Sequence, residues 1–238
     1  MARLVPFWTD PVIQAVFWSA ATIGFYLAAK VLYRRWPHSW STPLVVTPVL
    51  LIVAVSLLHT DYPDYIRGTH WLVALLGPAT VAFAIPIYEQ RALIRRHWPV
   101  LVTGIVVGSV TAMLSSWVLA SVLGLGGTLR LSLLPRSIST PFAMVVSGDI
   151  GGSPDLTAVF VVLTGILGAA IGDIMLARFP IRSMLARGAL LGLGAHSIGT
   201  AKAHEIGPQE GSIAGLVMVL VGLLNVLVAP VLAYCLQR

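Results

Sequence analysis

Two short stretches of the sequence combine polar side chains that bind anions with residues that break helices. The first, L-P-R-S-I-S-T-P, covers residues 134–141 and places an arginine and three hydroxyls between two prolines. The second, G-A-H-S-I-G-T-A-K-A-H-E, covers residues 194–205 and holds two histidines, a lysine and two hydroxyls. An arginine presents a planar fork that matches a carboxylate, and hydroxyls donate to its remaining oxygens. Together the stretches predict a site for a small carboxylate.

In the first stretch, Pro135 and Pro141 predict an unwound segment because each denies a helix one backbone donor. A new helix is expected with Thr140 as its N-cap and Pro141 at its first position. The positive end of that helix attracts an anion. The predicted ligands here are Arg136, Ser137, Ser139 and Thr140. In the alternative interpretation, Arg136 snorkels to the membrane surface from the end of a short helix.

In the second stretch, Gly194 and Gly199 predict a helix break on either side of His196. Thr200 is expected to cap the half-helix that follows, with Lys202 on its first turn. The predicted ligands here are His196, Ser197, Gly199, Thr200 and Lys202. A histidine titrates near neutral pH, so His196 is a candidate for proton coupling; the alternative is a hydrogen-bonded packing residue.

The composition places both stretches in a membrane protein. Of 238 residues, 57% are hydrophobic and 10% are charged, whereas about a quarter of the residues in soluble domains are charged. The apolar runs suit helices of about 20 residues and lack the alternation of barrel strands. They cover residues 11–33, 43–59, 70–88, 98–123, 155–178, 184–206 and 212–236, with a more polar run at 128–150. The sequence therefore predicts an all-α polytopic membrane protein with about seven transmembrane helices.

The distribution of charge predicts the topology. The net charge is +6, but the basic residues form short clusters between apolar runs, which indicates membrane orientation and not a nucleic-acid partner. Three clusters are expected on the cytoplasmic side: Lys30, Arg34 and Arg35; Arg91, Arg95 and Arg96; and Arg178, Arg182 and Arg187. The rule that basic loops are cytoplasmic holds along the whole chain only if 128–150 is a re-entrant hairpin. It then places the N-terminus, Glu205 and Glu210 outside and the C-terminus, with Arg238, inside.

This topology predicts two inverted repeats within a single transmembrane domain, 1–238. The spans at 43–123 and at 155–236 would form two three-helix sets that begin on opposite sides of the membrane. The middle helix of each set is interrupted, by Gly77 and Pro78 in the first and by 192–200 in the second. Paired interruptions are typical of secondary transporters and mark a substrate site at the midplane. For Gly77 and Pro78 alone, close helix packing is the alternative.

Other residues that bear on chemistry are few. Asp173 is the carboxylate expected deep in the bundle, where it pairs with a cation or lies near a helix end; a coupling role is predicted for it and for His196. Asn225 is expected to form a helix–helix hydrogen bond. The single Cys235 excludes internal disulfides and any cysteine-based metal site. Because no H-E-x-x-H, G-x-S-x-G or P-loop motif occurs, we expect neither an enzyme nor a metal or cofactor.

Three segments resemble the LrgB/CidB family of membrane proteins. They are L-L-P-R-S-I-S-T-P-F-A-M-V-V-S-G-D-I-G-G-S-P-D-L-T-A-V-F-V-V-L-T-G-I-L-G (133–168), A-R-G-A-L-L-G-L-G-A-H-S-I-G-T-A-K-A (186–203) and L-L-G-P-A-T-V-A-F-A-I-P (75–86). Members are described as antiholin-like proteins that modulate murein hydrolase activity and autolysis, or as transporters of pyruvate, glycolate and glycerate. Asp173 departs from the uncharged or proline residue expected at its position, so a coupling role for it would be particular to this chain.

The resemblance implies a location and partners. We expect a multi-pass protein of the cytoplasmic (inner) membrane that acts beside a small membrane partner of the LrgA/CidA type. A homodimer is expected because many inverted-repeat carriers dimerise. The function predicted is secondary transport of small 2-oxo or 2-hydroxy monocarboxylates such as pyruvate, lactate, glycolate and glycerate by alternating access. The alternatives are an antiholin-like regulator that carries no solute and a pore formed with the partner.

Overall fold

The computed structural model describes residues 11–36 and 41–236, and all regular structure in these residues is helical. The α-helices are Pro11–Arg35 (α1), Pro43–Leu57 (α2), Tyr62–Ala74 (α3), Leu76–Ala82 (α4), Ala84–Glu89 (α5), Arg91–Val122 (α6), Gly127–Leu133 (α7), Thr140–Asp149 (α8), Pro154–Arg178 (α9), Met184–Ile206 (α10) and Pro208–Leu236 (α11). A short 3-10 helix, Leu134–Ser137, joins α7 to α8. The chain divides into two compact units, Met1–Ala79 and Thr80–Arg238.

The helices confirm the all-α polytopic membrane class. Five helical segments among the described residues are long and apolar enough to cross a membrane: Pro11–Arg35, Tyr62–Glu89, Arg91–Val122, Pro154–Arg178 and Pro208–Cys235. Pro43–Leu57 is a shorter apolar helix of 15 residues. At 1.5 Å of rise per residue it is about 22 Å long, less than the roughly 30 Å of a bilayer core.

In the first unit, α1 and α3 pack closely through small residues. Trp71 Nε1 donates to Ser19 Oγ at 2.7 Å, and Ser19 Oγ lies 3.2 Å from the Gly68 carbonyl oxygen. A β-carbon at Gly68 would approach the Ala15 backbone to 3.2 Å. The helices are close enough to hydrogen-bond because Gly68 has no side chain.

The predicted interruption near residues 75–80 is present in the structure. Helix α3 ends at Ala74, and α4 begins at Leu76. Gly77 and Pro78 therefore lie in the first turn of α4, where a missing backbone N–H costs no hydrogen bond within the helix.

The segment from α7 to α8, which we call hairpin A, enters and leaves at the N-terminal end of α9. Its two helices have 7 and 10 residues, so each is about 10 to 15 Å long and neither can cross a bilayer. At its base, the Ser153 N–H donates to Ser132 Oγ at 2.8 Å, and Thr157 Oγ1 lies 2.9 Å from the Ser132 carbonyl oxygen. At its tip, Arg136 reaches Thr164, further along α9. This is the re-entrant geometry predicted for 128–150.

Helix α10 reverses direction at His196, where the backbone takes φ 39° and ψ −116°. A β-carbon at Gly199 would lie against the carbonyl oxygen of Leu191, eight residues earlier. In a continuous helix these residues would be separated by about 12 Å of rise. The two arms, 184–195 and 197–206, are therefore folded back on each other. We call this second re-entrant element hairpin B.

Hairpin B enters from the opposite end of α9 to hairpin A. Both of its arms contact α9 at the same level, since Leu191 lies against Gly172 and Lys202 Nζ lies 3.3 Å from Asp173 Oδ2. Its tip, His196, lies two turns away against Gly165. Thr164 and Gly165 are in the middle of the 25-residue α9. The tips of the two hairpins therefore meet at the centre of this helix.

The reversal changes the topology predicted for the last third of the chain. The sequence predicted a break at 192–200 within a spanning helix, and the break is present, but the chain returns to the end from which it came. Arg187 Nη1 accordingly lies 3.8 Å from Glu210 Oε1, so Glu210 is on the same side as the arginines and not opposite them. Helix α11 then passes Phe142 of hairpin A through Gly222 and runs away from those arginines. Arg238 lies outside the described residues.

Cysteine labelling tests this arrangement. In a Cys235→Ser background, single cysteines at the exposed positions Asp149, Arg182 and Gln209 are expected to react with a membrane-impermeant maleimide from defined sides. Positions 182 and 209 should label from one side and position 149 from the other. Labelling of 182 and 209 from opposite sides would show that α10 crosses the membrane once and does not reverse at His196.

Candidate functional site

A cavity of about 750 Å³ lies in the second unit beside the tips of the two hairpins. Its wall is formed by α6, residues 133–138 of hairpin A, α9, the first arm of hairpin B and α11. Most lining residues are apolar or glycine, and the polar ones include Ser109, Ser115, Arg136, Ser137, Thr164 and Asn225. A largely apolar wall with a few convergent polar groups is typical of a small-molecule site.

Arg136 is held on the cavity wall by hydroxyls from two helices. Its Nε donates to Ser116 Oγ of α6 at 2.8 Å, and its Nη1 donates to Thr164 Oγ1 of α9 at 3.3 Å. Within the described ranges, no carboxylate lies within 4.0 Å of this guanidinium. The side chain therefore does not snorkel to the surface, and its charge has only neutral partners beside the centre of α9.

His196 connects the tips of the two hairpins and does not line the cavity. Its side chain is 2% exposed, and Gly165 makes room for the ring, since a β-carbon there would come within 2.9 Å of Cε1. The imidazole is within hydrogen-bonding reach of the Arg136 backbone, while Nε2 is buried with no partner in the described part of the chain. A positive φ at a non-glycine residue is strained, and such strain is concentrated at functional sites.

The start of α8 is close to its predicted position. The helix begins at Thr140, with Ser139 as an extended N-cap residue and Pro141 in the first turn. The N-cap is thus one residue earlier than predicted. Ser139 and Thr140 lie just beyond the lining, which ends at Ile138. Helix α8 and the second arm of hairpin B both start at the hairpin tips, so the positive ends of two half-helices are near the centre of α9.

The second stretch contributes less to the cavity than predicted. Gly194 lines the cavity, as do Pro135 and Ser137 of the first stretch. None of the five predicted ligands of the second stretch lines it: His196, Ser197, Gly199, Thr200 and Lys202. Thr200 Oγ1 donates to the His196 carbonyl at 2.8 Å and so binds its own helix turn.

Lys202 forms ion pairs and is not available to a substrate. Its Nζ lies 3.3 Å from Asp173 Oδ2 and 3.1 Å from Glu205 Oε2. Asp173 therefore pairs with a cation, one of the two alternatives left open by the sequence. These pairs join the second arm of hairpin B to α9 and leave Arg136 as the cation of the site.

Asn225 is a cavity residue that the prediction did not include. Its Nδ2 donates to Ser109 Oγ at 3.1 Å and to the Val221 carbonyl at 2.7 Å, which confirms the expected helix–helix hydrogen bond. The same side chain also lines the cavity. The signal in the sequence was a lone amide within the apolar run at 212–236.

Comparison with known proteins identifies the family. The model of the LrgB-like family matches residues 22–235, which include both hairpins and the cavity. The chain belongs to the LrgB-like family. Two relatives within this range are the uncharacterized proteins YwbG and YxaC of Bacillus subtilis (strain 168). YwbG is 42% identical over 211 residues, which cover 89% of this chain and 94% of YwbG. YxaC is 36% identical over 213 residues, which cover 90% of this chain and 93% of YxaC. No solved structure matches this chain.

LrgB-like membership agrees with a multi-pass membrane protein that has a role in transport or in antiholin-like regulation. Among the residues that the structure describes, no group of three or more His, Cys, Asp or Glu side chains could hold a metal ion. The chemistry of the cavity is therefore that of Arg136, the hydroxyls and one amide.

Proposed function

We propose that this LrgB-like chain is a secondary transporter of small 2-oxo and 2-hydroxy monocarboxylates in the cytoplasmic membrane. The observation that carries the proposal is the guanidinium of Arg136, which lies on the cavity wall at the centre of α9 without a carboxylate partner in the described residues. An unpaired cation at membrane depth is costly, and such residues mark substrate pathways. A bound carboxylate would neutralise it through two parallel hydrogen bonds.

The charge of the cavity supports a monocarboxylate in particular. Of the described residues that line it, Arg136 is the single charged one. One carboxylate balances one guanidinium, whereas a second carboxylate on the same molecule would lie in an apolar wall without a counter-charge. Burying an unpaired charge costs several kcal/mol, roughly, in real proteins. The site therefore favours monoanions over dianions.

The two hairpins support alternating access. They enter from opposite ends of α9 and meet beside the cavity. Displacement of hairpin A would therefore open the cavity toward one end of α9, and displacement of hairpin B would open it toward the other end. Broken helices at a central site that open alternately are the common design of secondary transporters. We propose that the side holding Arg182 is cytoplasmic, and that a homodimer and an LrgA/CidA-type partner form the working assembly.

Transport into liposomes tests the proposal. The purified protein is expected to take up labelled pyruvate, lactate and glycolate with saturation, and labelled succinate much more slowly because it carries a second carboxylate. Protein-free liposomes are the control. Absence of uptake with and without the partner subunit would contradict transport and favour the antiholin-like regulator. Flux that does not saturate would indicate the pore.

A further inference from the structure

Asn225 lines the cavity and has one hydrogen-bonding atom without a partner among the described residues. The side chain is 3% exposed and lines the cavity. Both hydrogens of its amide nitrogen are used, one by Ser109 Oγ and one by the Val221 carbonyl. These bonds fix the orientation of the amide. The carbonyl oxygen Oδ1 has no hydrogen-bond partner among the described residues and is not fully buried.

Asn225 and Arg136 are anchored to one face of α6. Asn225 binds Ser109 and Arg136 binds Ser116, seven residues further along the helix. Seven residues make about two turns and 10 Å of rise, so the two serines share a face. Asn225 and Arg136 therefore both line the cavity, from anchors about two helical turns apart on α6.

The polarity of this acceptor distinguishes two substrate classes. A hydroxyl can donate to Oδ1, whereas a keto oxygen has only lone pairs and would leave Oδ1 unsatisfied. The serine and threonine hydroxyls of the cavity either donate or accept, so they do not discriminate. Building on the proposed monocarboxylate transport, we propose that Asn225 is a specificity-determining residue. Its Oδ1 selects 2-hydroxy acids over 2-oxo acids while Arg136 binds the carboxylate.

Lactate and pyruvate form a matched pair for the test, because they share size and charge and differ at carbon 2. In liposomes, the wild type is expected to transport lactate with kcat/KM about tenfold above that for pyruvate, as expected when a buried acceptor is left unpaired. In Asn225→Leu the two values should become nearly equal. In the control, Thr103→Val, the wild-type ratio should persist, because Thr103 is on α6 but does not line the cavity.

The outcomes separate this inference from the proposed function. Three outcomes would overturn the role of Asn225 and leave transport intact: a wild-type protein that transports both acids without preference, an Asn225→Leu protein that keeps the preference, or a Thr103→Val protein that loses the preference equally. A wild-type protein that transports neither acid would overturn both. If the leucine variant does not fold, the ratio in Asn225→Ala, which adds no bulk, decides the question.

Discussion

Replacing Arg136 with alanine is expected to abolish saturable uptake, lowering kcat/KM for lactate or pyruvate by at least about 100-fold. A hydrogen bond to a charged group contributes about 1.5 to 3 kcal/mol, and the guanidinium would supply two together with the only charge in the described lining. Initial rates in liposomes at several substrate concentrations measure the effect. Arg136→Lys should retain part of the activity, because it keeps the charge but loses the planar fork.

Arg130 provides a matched control for this substitution. It is on the same hairpin, six residues earlier, and its guanidinium carbon lies 4.1 Å above the ring of Trp117. It does not line the cavity. Arg130→Ala should therefore keep the KM of the wild type even if its folding yield falls. Equal loss of uptake in the folded Arg130 and Arg136 variants would mean that hairpin A needs arginines for packing and that Arg136 is not the anion ligand.

Replacing Gly168 with alanine is expected to destabilise the protein by about 3 kcal/mol or to prevent folding. A β-carbon at this position of α9 would lie against the carbonyl oxygen of Gly194 and 3.2 Å from the β-carbon of Ala195. Because the first obstacle is backbone, the first arm of hairpin B would have to move away from α9. Overpacking of this kind costs 1 to 3 kcal/mol, roughly, and sometimes more. Thermal unfolding in detergent measures the loss.

Gly104 is the corresponding control on α6. A β-carbon there would have no atom within 4 Å. Gly104→Ala should match the wild type or exceed its stability by up to about 1 kcal/mol, because alanine is the better helix former. If the Gly168 and Gly104 variants unfold at the same temperature, Gly168 of α9 is not in close contact with Gly194 and Ala195 of hairpin B.

The order of elements shows a simple internal relationship. Helix α6 is followed by hairpin A, and α9 is followed by hairpin B, which points the opposite way. This arrangement has the inverted character expected of a secondary transporter. The boundaries predicted from the sequence, 43–123 and 155–236, stay a prediction.

Several features could be determined from the sequence alone, because their causes are local. The membrane class follows from the length of the apolar runs, which must satisfy their backbone groups within each helix. Hairpin A was predicted from Pro135 and Pro141, which break the helix, and from the arginines in the loop after α9, which require the chain to be on the cytoplasmic side there. Gly194 and Gly199 predicted where α10 is interrupted, and the cost of an arginine at membrane depth singled out Arg136 as a candidate ligand.

Only the tertiary structure decided how these parts meet. Glycine signals a break but not its angle, and the reversal at His196 depends on close contacts that Gly165, Gly168 and Gly199 make with distant residues. The same folding back brings Lys202 to Asp173, which removes it from the predicted site. The packing of α11 against α6 likewise places Asn225, an ordinary packing residue by sequence, on the cavity wall. Such pairings depend on distances between residues far apart in the chain, which local patterns do not encode.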